Sequence, residues 1–349
     1  MNPTPRKAVL DMAPYHPPTG GRLGKLRLDF NENTVGCSPR VIAFLCEHLS
    51  RERLSVYPDY AEAKPRLAAH FGVNPDQLLL TNGTDEAIQV LINTYVDDGE
   101  QVVMLRPSYA MYRFYAELAG ACILEIDYVP PKLEFPLGNL LAAITDETRA
   151  VLISNPNNPT GVGIELPQIE QILQRASNAV VLVDEAYFEF SQVTALGLLD
   201  RYPNLFVSRT FSKVYGMAAM RIGALFSQPA NIQYLHKAQS PYSVNMLAAM
   251  AAAEAACDQE YIREAVAEVL EARKMLCDGL CKLGISYVPS AANFVLIYAG
   301  DRARQIRDFL FDRAILVRDR SYEIPGAVRI TVGTTEQTAR VLAELERIW

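Results

Sequence analysis

Short apolar runs rich in Val, Ile and Leu recur along the first two thirds of the chain, bounded by turn residues and separated by stretches with helical spacing. Residues 78–80, 101–105, 122–126, 150–154, 180–184, 205–208 and 222–226 each read as a strand. Runs that are apolar on both faces belong to parallel strands covered by helices on both sides. The pattern therefore predicts an α/β fold whose large domain, residues 46–245, holds a mostly parallel sheet. From residue 241 to 271 the chain turns Ala- and Glu-rich with helical spacing, which predicts a long helix or helix pair leaving that sheet. Strand-like runs at 293–298, 314–318 and 328–332 then flank a helix at 303–313, giving a smaller α+β domain over residues 246–349. The first forty residues are rich in Pro, Gly and Asn and carry no helical period. Residues 1–45 read as an extended arm that joins the small domain, with helices beginning after Ser38 and Pro39.

Composition narrows the class of protein. Hydrophobic residues are 50% of the 349 and charged ones 21%, which fits a globular chain with a sizeable core. A net charge of −7 with no Lys/Arg run argues against a nucleic-acid partner. Six cysteines with no C-x-x-C pair and only four histidines point to reduced thiols in a cytoplasmic protein rather than a metal site. No secretory signal is visible at the N-terminus. The longest apolar stretch, 246–257, is interrupted by Glu254 and is shorter than the roughly 18 residues of a membrane span.

The candidate chemistry gathers where the strands end. Thr210, Phe211, Ser212 and Lys213 follow the strand at 205–208 and precede Gly216 and the turn Arg221, Ile222, Gly223. Asp184 ends a very apolar strand, so its carboxylate emerges from a buried edge, with Tyr187 three residues on. Asn155 to Gly161 is a turn made rigid by two prolines and a glycine, and it carries Asn158. Asn82, Gly83, Thr84 and Asp85 open a helix expected over 86–96, whose N-terminal N–H groups form an anion site. Taken singly, Lys213 reads as a solvated lysine, Asp184 and Asp85 as helix caps and the Asn158 turn as punctuation. Together, at the ligand-binding edge of a parallel sheet, they are the groups a pyridoxal phosphate site needs.

In order and spacing, these segments resemble the fold-type I pyridoxal phosphate-dependent aminotransferases, most closely the histidinol-phosphate aminotransferase family. Asn158 to Asp184 is 26 residues, Tyr187 to Lys213 another 26, and Lys213 to Arg221 is 8. The resemblance extends through Tyr15, the run Asp29 to Asn33, Tyr57 with Pro58, Pro107 to Tyr109, and Arg329 to Gly333, so it spans essentially the whole chain. It implies that Lys213 forms the Schiff base with pyridoxal 5'-phosphate and shuttles the proton, and that Asp184 pairs with the pyridine nitrogen. It also implies that Asn158 and Tyr187 hold the phenolate oxygen and that Tyr109 stacks on the ring. Gly83, Thr84, Asp85, Thr210, Ser212 and Arg221 would surround the phosphate, and Tyr57 would reach the site of the neighbouring subunit of a homodimer. Arg329, Arg318, Tyr15 and Asn31 would meet the substrate, an amino donor or a 2-oxo acid.

Two features depart from the family pattern. Asn33, Thr34, Val35, Gly36, Cys37, Ser38 replace its more usual Asn-Pro-x-Gly-Pro-Ser, and Val214 stands after the lysine where a small residue is commoner. The resemblance implies exchange of an amino group between histidinol phosphate and 2-oxoglutarate. Phenylalanine or tyrosine as substrate, threonine-phosphate decarboxylation and a pyridoxal phosphate-binding regulator without turnover are the alternatives left open.

Overall fold

Near-continuous β-branched and leucine runs form the spine of the larger half of the molecule. In the computed structural model, residues 3–14 and 20–349 are described, and Tyr15 lies outside them. The strands are β1 (Leu26–Leu28), β2 (Leu78–Thr81), β3 (Gln101–Arg106), β4 (Cys122–Asp127), β5 (Thr148–Ser154), β6 (Val180–Asp184), β7 (Leu205–Thr210), β8 (Gly223–Phe226), β9 (Tyr287–Val288), β10 (Phe294–Tyr298), β11 (Ile315–Asp319) and β12 (Ala327–Thr331). The large sheet has the order β2-β8-β7-β6-β5-β3-β4. Side chains alternate between its faces, as the two-residue period of a strand requires. Val181 and Val183 pack in one hydrophobic cluster, and Val180 and Leu182 in another on the opposite side.

All strands of this sheet run parallel except β8, which pairs antiparallel with both β2 and β7. The link between β7 and β8, residues 211–222, carries a short 3-10 turn and no α-helix, whereas a parallel return usually crosses over through a helix. The reversal brings the start of β8, with Arg221 beside it, to the sheet edge where β2, β5, β6 and β7 end.

The smaller sheet has the order β1-β11-β12-β10-β9. β1 joins it in parallel register with β11, Leu26 opposite Ile315, so the N-terminal arm is stitched to the C-terminal part of the chain. A short helix, Lys7–Asp11, precedes β1 where the sequence suggests only extended chain; its five residues are too few to show a helical period. The sequence puts the domain join at residue 245, but Ala248, Ala251 and Ala252 of the helix Met246–Ala255 pack in the large sheet's core. The continuous helix Gln259–Lys282 bridges the two halves: Ile262 packs with the large core, Leu276 and Leu280 with the small one, and Val269 against both. A join inside a helix leaves no Gly- or Ser-rich linker to mark it.

Candidate active site

A cavity of about 480 Å³ opens at the sheet edge where β5, β6 and β7 end, facing the small sheet. Asp184 is its floor. The carboxylate is buried, and Oδ2 accepts from the Tyr112 hydroxyl at 2.8 Å while Oδ1 accepts from Ser208 Oγ at 2.9 Å. Burial raises its pKa to about 6 against the pull of those two hydrogen bonds. Neither Tyr112 nor Ser208 stands in a recognisable motif; Ser208 is the register partner of Asp184 on β7, the one signal that points to it.

Lys213 lies on the loop after β7, with its amine donating to the Phe30 carbonyl at 3.1 Å. Burial lowers its pKa to about 8, and the positive charge of Arg329 adds to that, with Glu32 opposing. Tyr187 is buried, and its hydroxyl accepts from Asn31 Nδ2 at 2.9 Å. Asn31 is itself fixed: its amide donates to Thr331 Oγ1 at 3.0 Å, and its side-chain oxygen accepts from that hydroxyl at 3.1 Å.

The anion cup forms from the helix Gly83–Tyr95, the start of the β8 segment and the loop after β7. The helix begins earlier than the sequence suggests, so Thr84 and Asp85 lie in its first turn. Gly83 has φ +74°, and a Cβ there would sit 2.5 Å from Arg221 Nη2, so only glycine lets the guanidinium lie over the helix end. Arg221 donates to Asp85 Oδ2 at 3.1 Å, and the Tyr109 hydroxyl donates to Asp85 Oδ1 at 2.7 Å. Asp85 thus positions a cation and a phenol rather than facing an anion itself. Thr84, Thr210 and Ser212 are buried beside them, with the Ser212 amide donating to Thr210 Oγ1 at 3.1 Å.

At the small-sheet side, Arg329 on β12 is buried and donates to Asn158 Oδ1 and, at 2.7 Å, to the Asp29 carbonyl. Its Nε has no hydrogen-bond partner among the described residues. Burial first, then repulsion from Arg320, lowers its pKa to about 10. Arg318 on β11 is the register partner of Arg329 and lines the same cavity. Tyr57 is not in this cavity: it is 77% exposed and stacks on Tyr242, ring centroids 4.6 Å apart.

Residues 24–345 match the family model for aminotransferase class I and II. The chain belongs to the class I and II aminotransferases. It is 35% identical to histidinol-phosphate aminotransferase 2 of Carboxydothermus hydrogenoformans over 98% of each chain. It is 36% identical to the histidinol-phosphate aminotransferase of Geotalea daltonii over 98% of this chain and 99% of the other. A solved structure of histidinol-phosphate aminotransferase from Sinorhizobium meliloti, in complex with pyridoxal 5'-phosphate, superposes with a TM-score of 0.85 at 26% identity, over 93% of this chain and 90% of that one. The family and that complex imply pyridoxal phosphate as the cofactor, and the residues of this aminotransferase fit it. The buried Asp184 carboxylate and the half-buried Lys213 amine line the same cavity, and Gly83 leaves the room a Cβ would take above a helix N-terminus. Arg320 also lines the cavity and was not found by the sequence; two residues from Arg318, it shares that residue's strand period, a signal too common to single it out.

Proposed function

We propose that this aminotransferase moves the amino group of histidinol phosphate to 2-oxoglutarate, with pyridoxal 5'-phosphate held by the residues described above. The cofactor, when bound, supplies an electron sink for the pair left on the substrate Cα when its proton departs. The chain's own groups do the rest. Thr84, Ser212, Arg221 and the N–H groups of the helix Gly83–Tyr95 bind the cofactor phosphate, with Thr210 positioning Ser212. Asp184, held by Tyr112 and Ser208, keeps a negative charge against the pyridine nitrogen. Tyr187 and Asn158 donate to the ring oxygen, and Tyr109 packs on the ring. Lys213, whose amine burial has brought into the range near neutrality, takes the Cα proton and returns it on the other side of the exchange.

The observation that carries the substrate reading is Arg329. A buried guanidinium whose partners are an amide oxygen and a carbonyl has no counter-ion among the described residues. Its planar fork suits the α-carboxylate of glutamate and the phosphate of histidinol phosphate alike. The exposed Tyr57–Tyr242 pair, with Leu54 and Val56 also exposed nearby in sequence, supports a homodimer in which Tyr57 enters the neighbouring site. Six free cysteines fit a cytoplasmic, reducing setting, and no helix among the described residues is long and apolar enough to cross a membrane.

The direct test mixes the holoenzyme separately with histidinol phosphate, phenylalanine, tyrosine and glutamate and follows cofactor absorbance and 2-oxo product in a single turnover. Histidinol phosphate and glutamate should react fastest. Far faster turnover of phenylalanine or tyrosine would move the assignment to an aromatic amino-acid aminotransferase.

A further inference from the structure

Arg320 is a buried cation that the mechanism above does not use. It follows β11, and its amide donates to the Ala327 carbonyl at 2.9 Å, which carries the pairing with β12 one step further. Side chains alternate along an extended strand, so Arg318 and Arg320 project from one face. Arg318 is the register partner of Arg329. The three guanidiniums therefore share a face, and all three line the cavity.

Arg320 is only 8% exposed. Its Nη2 is bound to the Glu323 carboxylate, its guanidinium lies 5.1 Å from the Tyr322 ring, and its buried Nε has no partner among the described residues. The other acids at this end, Asp29 and Glu32, are engaged by Arg22 at 2.7 and 2.9 Å. Arg329 and Arg320 meanwhile repel one another across the cavity, part of the reason the Arg329 guanidinium is acidified. Glu323 balances the charge of Arg320 alone, so Arg329 and Arg318 leave surplus positive charge at this end of the cavity, which an anion would offset. A carboxylate brings one charge, which the fork of Arg329 already matches. A phosphate monoester brings close to two charges and three acceptor oxygens, enough to engage Arg329, Arg318 and the free Nε of Arg320.

We infer that Arg320 is a third anion-binding arginine, which contacts the phosphate monoester of the substrate and favours phosphate-bearing substrates over those with a carboxylate alone. This rests on the histidinol phosphate reading of the same cavity. Two measurements on the holoenzyme keep them separable: kcat/KM for histidinol phosphate and for glutamate, and the Kd of inorganic phosphate by calorimetry. In Arg320→Gln, kcat/KM for histidinol phosphate and the affinity for inorganic phosphate should each fall about tenfold or more, the loss expected for one charge-assisted hydrogen bond. The glutamate value should stay within about twofold. Arg320→Lys should recover part of the phosphate affinity. Equal losses for both substrates, or an unchanged phosphate Kd, would overturn the inference. A wild-type enzyme that ignores histidinol phosphate, while its inorganic phosphate affinity still depends on Arg320, would sink the functional reading and leave this one standing. Glu323→Gln gives the answer if Arg320→Gln does not fold: releasing Arg320 from its carboxylate should tighten inorganic phosphate binding, and an unchanged or weaker Kd counts against the role.

Discussion

Burial holds Lys213 and Asp184 away from the ionisation that water favours, and each therefore leaves a pH signature on the cofactor-free protein. The Lys213 amine has a pKa near 8 in the fold against 10.5 in its ordinary state. Below pH 8 both folded and unfolded chains hold the proton, and the fold bears the full cost of a desolvated ammonium. As pH rises from 8 to 10.5 the folded protein releases its proton first, so that cost disappears. Lys213→Met apoprotein should accordingly be more stable than wild type at pH 7, with a gap that narrows as pH approaches 10.5. Asp184 runs the other way: with a folded pKa near 6 against 3.8, its cost is absent in strong acid, grows between those values and is complete above 6. Asp184→Asn should gain on wild type as pH climbs through that window. Urea unfolding of the apoproteins across both ranges checks the pair, and gaps that do not move with pH would show that neither group is desolvated in solution.

At the scale of elements, the cup depends on a helix N-terminus and an antiparallel strand start being brought together. The left-handed Gly83 makes that approach possible, because any Cβ collides with Arg221. Alanine in the left-handed region costs roughly 1–2 kcal/mol, and displacing Arg221 removes a charge-assisted contact to the phosphate. Gly83→Ala should thus lower stability by about that amount and weaken pyridoxal phosphate binding about tenfold or more. Titrating the apoprotein with cofactor, followed by fluorescence, measures the second effect. Cofactor affinity equal to wild type would mean that Arg221 does not hold the phosphate. Gly216 has a parallel role, since its missing Cβ lets the loop after Lys213 lie against the backbone of Gly36 and Cys37, fixing the arm beside the lysine.

For the whole molecule, the question is whether one chain completes its own site. If Tyr57 serves the neighbouring subunit, two inactive chains can repair each other. In a hybrid of Lys213→Ala and Tyr57→Ala subunits, one site receives both lesions and the other neither. Co-refolded mixtures should then regain activity well beyond that of the Tyr57→Ala homodimer. Activity equal to the average of the two parents would place Tyr57 in its own subunit's site or outside any site.

Strand positions and their chemistry were legible in the sequence because they obey local rules. A run such as Val180–Asp184 must be buried on both faces, and the polar residue at its end must emerge at the ligand edge. The spacing from Asn158 through Asp184 and Lys213 to Arg221 made the candidate site readable as one constellation. What tertiary structure alone decided are the pairings between residues far apart in the chain. Tyr112 and Ser208 meet Asp184 from a helix and a neighbouring strand, β8 runs antiparallel to β7 across a link that holds no crossover helix, and the domain join hides within the continuous helix Gln259–Lys282. Arg320 joins Arg318 and Arg329 only once β11 and β12 are in register. Hydrophobic period is a property of neighbours in sequence, whereas burial, register and counter-ion balance depend on partners that the fold brings together across intervening chain, as with Ser208 and Asp184 or Asn31 and Thr331, and no local pattern encodes them.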